Sequence, residues 1–161
     1  MYEYGIIKGT MDGGIAMYFV DRSKIRERLA YIDYLFDVTN EQTFTTDLEK
    51  LSLERMTHIM IEAMLDVGNM MIDGFIMRDP GSYEDIIDIL VDERVIPEED
   101  SERYKQLIRL RQMLVQQYTD IDHAQLEQVI QGNKEQLSQF SKHVTTYLDN
   151  ELGVAHAFSN E

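Results

Sequence analysis

From Thr46 to Met71 the chain carries Leu48, Leu51, Met56, Ile59, Met60, Ala63, Met64, Val67 and Met71 on a helical period, with no proline before Pro80. A run of this length with recurrence at three and four residues specifies a long amphipathic α-helix. Thr46 and Glu49 stand at the spacing of a capping box, which fixes where that helix begins. The methionines are flexible and polarisable, and read as adaptable core filler.

The rest of the chain has the same character. It contains two prolines and nine glycines, so few positions punctuate it. Asp21 can cap a helix bearing Ile25, Leu29, Ile32 and Phe36, which ends near Asn40. Asp79-Pro80-Gly81 closes the long helix, and Ser82 caps a shorter one with Ile86, Ile87, Leu90 and Val91. Pro97 opens a fourth, where Glu98, Glu99 and Asp100 suit the positive end of the helix dipole. Its apolar face is expected to hold Tyr104, Leu107, Ile108, Leu114, Val115 and Tyr118. Asp122 caps the last, with a stripe from Leu126 to Leu148 that tolerates Gly132 in its interior. No segment alternates as a strand does, so the expected fold is all-α, an antiparallel bundle of about five helices. Gly5, Gly9, Gly13 and Gly14 mark residues 1–16 as a flexible arm, or as sequence upstream of a start at Met17. Residues 17–161 form the helical domain.

Several function classes are excluded by composition. The chain has no cysteine, hence no disulfide framework and no thiolate chemistry. The apolar run Ile15 to Val20 is too short to span a membrane and lacks the flanks of a signal peptide, which suggests a cytoplasmic protein. A net charge of −15 disfavours generic binding to phosphate backbones, so any RNA contact must be local. No phosphate loop, nucleophile elbow or cofactor motif is present.

Two constellations stand out. Arg111 lies at the centre of the apolar face of the fourth helix, where a guanidinium that cannot be neutralised needs a carboxylate, a carbonyl or an anionic ligand. Along the polar side of the long helix, His58, Glu62, Asp66, Asn69 and Asp73 share one sector. Glu62 and Asp66 are therefore the candidate partners of Arg111. The same sector raises a metal site, but it lacks the paired Glu-x-x-His pattern of di-iron bundles, and no metal is assigned. His123, His143 and His156 have no ligand or nucleophile spacing.

The segments Met17-Tyr-Phe-Val-Asp-Arg-Ser-Lys24 and Asp73-Gly-Phe-Ile-Met-Arg-Asp-Pro-Gly-Ser-Tyr83, with the helix around Arg111, carry a resemblance to the HepT-like ribonuclease family and its YutE-like branch. The resemblance spans about Tyr18 to Phe158. It implies a helical homodimeric toxin that cleaves RNA without a metal or cofactor. It also implies a signature of Arg, four to six residues, His, any residue and Tyr. Arg111 and Tyr118 match it, and Gln116 stands where the family has histidine. A carboxamide only donates and accepts hydrogen bonds, whereas imidazole moves protons near neutral pH. Arg111 and Gln116 are thus the catalytic candidates, with Gln116 a degenerate position that weakens the activity the resemblance implies. On a regular helix they lie about 140° apart, so a shared site would need a helix irregularity or a second subunit. Lys105, Arg109 and Gln112 share the side of Gln116 and form a small basic stripe. By the same resemblance, a minimal nucleotidyltransferase antitoxin of the MntA type attaches AMP to Tyr118. The alternative is a non-catalytic dimeric interaction module.

Overall fold

A computed structural model of the chain describes residues 4–11 and 14–158, with side chains over residues 20–151. Among the described residues, seven helices follow a β-hairpin: β1 (Tyr4–Met11), β2 (Gly14–Asp21), α1 (Arg22–Thr39), α2 (Asp47–Gly74), α3 (Tyr83–Asp92), α4 (Ser101–Gln116), α5 (His123–Gly132), α6 (Lys134–Leu137) and α7 (Phe140–Phe158). A 3-10 turn at Glu98–Asp100 leads into α4.

The hairpin corrects the expectation that no segment is a strand. β1 and β2 pair antiparallel from Tyr4 with Asp21 to Met11 with Gly14, separated only by Asp12-Gly13, a dipeptide that favours tight hairpin turns. The boundary expected between residues 16 and 17 therefore falls inside β2. Residues 1–3 of the expected arm lie outside the described residues, as do residues 12 and 13.

Helix starts follow the capping residues. Asp21 accepts from the Lys24 amide and Asp122 from that of Gln125, each at 3.0 Å. Thr46 and Glu49 close a reciprocal capping box. Ser82 accepts from the Asp85 amide at 3.1 Å. Helix ends obey another rule. Glu41, Ile76 and Arg94 hold φ of 60°, 52° and 61°, the left-handed conformation that glycine normally supplies just past a helix. At two of them a return bond closes the end, Met77 N–H to Ile72 O at 2.9 Å and Val95 N–H to Leu90 O at 2.8 Å.

The last helix expected from the sequence is divided. At Gly132 there is no side chain to hold the helix, and the buried Asn133 turns its amide to α4. There Arg103 Nη1 donates to its Oδ1 at 3.1 Å and its Nδ2 donates to Gln106 Oε1 at 2.9 Å. Tyr104, fully buried, donates from its hydroxyl to the Gln136 carbonyl at 2.9 Å. These tertiary bonds replace the helical ladder that Gly132 weakens.

The fold class is nonetheless helical, and α2 is its axis, touching α1, α3, α4 and α5. Met60, Ile61, Met64, Val67 and Met71 are buried along it. Gly68 lets α3 approach: a Cβ there would lie 2.4 Å from Ile86 Cγ2. Two ion pairs tie α2 to the helices that follow α3: Glu62 meets Arg111 of α4, and Glu54 meets His123 of α5.

Candidate functional site

The fourth helix buries Tyr104, Leu107, Ile108 and Leu110, a face centred nearer its N-terminal half than the sequence suggests. Leu114 is only half-buried and Val115 is exposed. Arg111 consequently sits at the margin of the core. Its side chain is 25% exposed, and Glu62, 37% exposed, accepts from Nε at 2.6 Å. Asp66, the other candidate partner, faces Arg28 Nε at 3.7 Å. The Glu62 hydrogen bond favours the charged guanidinium and raises its pKa.

A second restraint comes from the loop between α2 and α3. Arg78 grips Asp85 with Nη1 at 2.8 Å and Nη2 at 2.7 Å, and the Gly81 amide donates to the same carboxylate at 2.8 Å. This clamp presents Tyr83 at the first turn of α3, and its ring lies 4.5 Å from the Arg111 guanidinium carbon. The pair is a cation–π contact. With Nε on Glu62 and the guanidinium over Tyr83, the two Nη groups have no hydrogen-bond partner among the described residues.

Arg111 and Gln116 are 140° apart on an ideal helix, yet both line one open cleft of about 310 Å³ with Ser82, Tyr83 and Gln112. The floor of the cleft spans the helix rather than one face of it. Gln116 is the last residue of α4. Tyr118, expected at the end of the helical stripe, lies beyond it in a turn and is 69% exposed. It is therefore not a core residue.

The basic stripe is occupied by carboxylates. Lys105 Nζ meets Asp88 at 2.6 Å, while Arg109 bridges Glu84 at 2.8 Å and Glu102 at 2.5 Å. The hydrogen bonds that Arg109 donates to Glu102 and Glu84 raise its pKa. Sequence reasoning missed these bonds because α3 and α4 are separate segments that the fold brings together.

His58, named on the polar sector of α2, has Nε2 3.7 Å from Glu62 Oε1, the oxygen that also receives Arg111. His123 Nε2 lies 2.9 Å from Glu54 Oε2 and ties α5 to α2. Among the described residues, no three His, Asp or Glu side chains are grouped as metal ligands, because Glu62 and Asp66 turn to different arginines. No helix among the described residues is long and apolar enough to cross a membrane.

Comparisons with known proteins bear on the family and the fold. Residues 25–144 match the family model "Ribonuclease HepT-like". The chain is 47% identical over 143 residues to "Putative RNase YutE" of Bacillus subtilis (strain 168), covering 88% of this chain and 99% of that protein. A solved structure of YutE, described as a cytosolic protein of unknown function from Bacillus subtilis, superposes with a TM-score of 0.83 at 47% identity, covering 85% of this chain and 96% of that one. A structure described as a toxin-antitoxin with AMP-PNP shares the fold at a TM-score of 0.66 and 19% identity, covering 76% and 98%. The matched segment contains both the Arg111 cleft and the helices that frame it, and the chain belongs to the HepT-like ribonuclease family.

Proposed function

We propose that this protein is the ribonuclease toxin of a toxin-antitoxin pair, cleaving RNA without a metal at the Arg111 cleft. The observation that carries the reading is the state of Arg111, which lines the cleft with Nε on Glu62 and the guanidinium plane over Tyr83, while its two Nη groups have no hydrogen-bond partner among the described residues. A guanidinium so oriented can present paired N–H donors to a phosphodiester, a match that fixes orientation as well as charge. Gln116 lines the same cleft and can donate a hydrogen bond from its amide to the phosphoryl oxygens, but it cannot move a proton.

Exposed Leu48 and Leu51 near the start of α2, with Val115 and Tyr118 near the end of α4, support a homodimer joined through these apolar side chains. The exposed hydroxyl of Tyr118 is accessible to a nucleotidyltransferase antitoxin of the MntA type, which would transfer AMP to it. The fold is shared with a protein that was solved in a toxin-antitoxin complex.

Purified protein is incubated with mixed RNA in the presence of a chelator. Cleavage by wild type that is lost in Arg111→Ala is expected. No cleavage by either, from folded protein, favours the second reading, a dimeric interaction module. The non-titrating Gln116 and the neutralised stripe of Lys105 and Arg109 support that second reading.

A further inference from the structure

Metal-free cleavage of RNA needs a group to take the proton of the 2′-hydroxyl, and the position that provides an imidazole in the family signature holds Gln116. We infer that His58, on a different helix, is the base at this site. The inference rests on the ribonuclease reading above.

The case begins with one oxygen. Glu62 Oε1 lies 2.6 Å from Arg111 Nε and 3.7 Å from His58 Nε2, so the guanidinium and the imidazole flank a single carboxylate. That separation is small enough for both to reach one phosphodiester, whose oxygens take charged donors at about 2.8 Å. His58 precedes Glu62 by one helical turn and so shares its face. It is 31% exposed, open to a substrate yet seated between helices.

The other described histidines are placed differently. His123 is held by Glu54, eight residues and about 12 Å along α2 from Glu62, too far to share a phosphate with Arg111. His143 lines a separate cleft with Lys142 and Tyr147.

The chemistry balances with these groups. A non-bridging phosphate oxygen rests on the Arg111 Nη groups, and the ring nitrogen of His58 that faces away from Glu62 takes the 2′-hydroxyl proton. The 2′-oxygen bonds to phosphorus and the bond from phosphorus to the 5′-oxygen breaks. Water protonates the leaving oxygen, and the resulting hydroxide recovers the proton from His58. The products are a 2′,3′-cyclic phosphate and a 5′-hydroxyl. Glu62 acts as a positioning residue, holding the ring and stabilising the imidazolium as it forms.

The test compares wild type, His58→Gln, His58→Ala, His123→Gln and His143→Gln on end-labelled RNA with chelator, each checked for folding by circular dichroism. His58→Gln should lower kcat/KM by roughly 10²- to 10⁴-fold, the usual loss for one acid–base group. His143→Gln should cleave as wild type does. Added imidazole should raise the rate of His58→Ala and leave folded Arg111→Ala unchanged. Cleavage by His58→Gln within roughly tenfold of wild type, far less than such a group contributes, overturns the assignment and leaves the ribonuclease reading standing. So does a large loss in His123→Gln alone, or a folded His58→Ala that imidazole does not help. Wild type that cleaves nothing overturns both.

Discussion

Replacing Arg111 by Met and Glu62 by Gln, singly and together, isolates the pair that holds the guanidinium in the cleft. The bond is short at 2.6 Å, but the side chains are 25% and 37% exposed, so their attraction is set by a near-surface dielectric rather than a dry interior. Exposed pairs couple by about 0.2 to 1 kcal/mol, and a short charge-assisted bond belongs near the upper end. Arg111→Met also removes the contact with Tyr83, which contributes about 0.5 to 1 kcal/mol. Methionine keeps most of the packed stem. The single variants should therefore lose about 1.5 kcal/mol for Arg111→Met and about 1 kcal/mol for Glu62→Gln, with a coupling of about 1 kcal/mol between them. Urea unfolding at one fixed protein concentration measures all three, since an oligomer would otherwise shift the midpoint. A coupling under about 0.3 kcal/mol, within the error of additivity, would refute the pairing. One above about 3 kcal/mol would refute the exposure on which the estimate rests.

Three further outcomes follow from the same geometry. Gln116→His should raise RNA cleavage severalfold or more, because it adds a titrating ring to the cleft that holds Arg111; the double variant with Arg111→Ala should lose the gain, and an unchanged rate in folded Gln116→His would count against this cleft. Gly68→Ala should destabilise by about 1 to 2 kcal/mol despite alanine's better helix propensity, because the new methyl meets the stiff, buried side chain of Ile86; stability equal to or above wild type in thermal unfolding would show that α3 yields. The Arg78 hydrogen bond and then the Gly81 amide hold the Asp85 pKa down at about 2. Its stabilisation is complete above the unfolded carboxylate value near 4 and is lost as pH falls toward 2. Asp85→Asn should thus be less stable than wild type at neutral pH, and the gap should close across that window in an acid titration.

Helix beginnings were legible because Asp21, Thr46, Ser82 and Asp122 act on amides three residues away, within reach of local chemistry. The end of α1 near Asn40 was legible as well, but the ends of α2 and α3 were not, because Ile76 and Arg94 take a conformation for which their side chains give no signal. The break at Gly132 depends on Arg103 and Gln106, which reach Asn133 from another helix. Arg111 stood out because a cation in an apolar stripe demands a partner, and the helical sector of α2 narrowed that partner to Glu62 or Asp66. The fold then gave Arg111 to Glu62 and Arg28 to Asp66. Tyr118 was misplaced on the stripe because nothing in the sequence marks the end of α4 at Gln116. The hairpin was obscured by glycines, whose flexibility masked the turn signal of Asp12-Gly13.

Under the proposed function, the carboxylates over Lys105 and Arg109 should reverse the usual response of an RNA-binding surface to ionic strength. Most such surfaces lose affinity as salt rises, because counterions released from the RNA are harder to free. Here the stripe is neutralised by Asp88, Glu84 and Glu102 before RNA arrives, and the chain as a whole carries a net charge of −15. An approaching strand is repelled over a distance that shrinks from about 30 Å at 0.01 M salt to about 10 Å at 0.1 M. Encounter should therefore quicken as salt is added across that range. Under the proposed function, a protein built this way would meet RNA slowly in dilute solution and select strands that can bring one phosphate to Arg111 at close quarters.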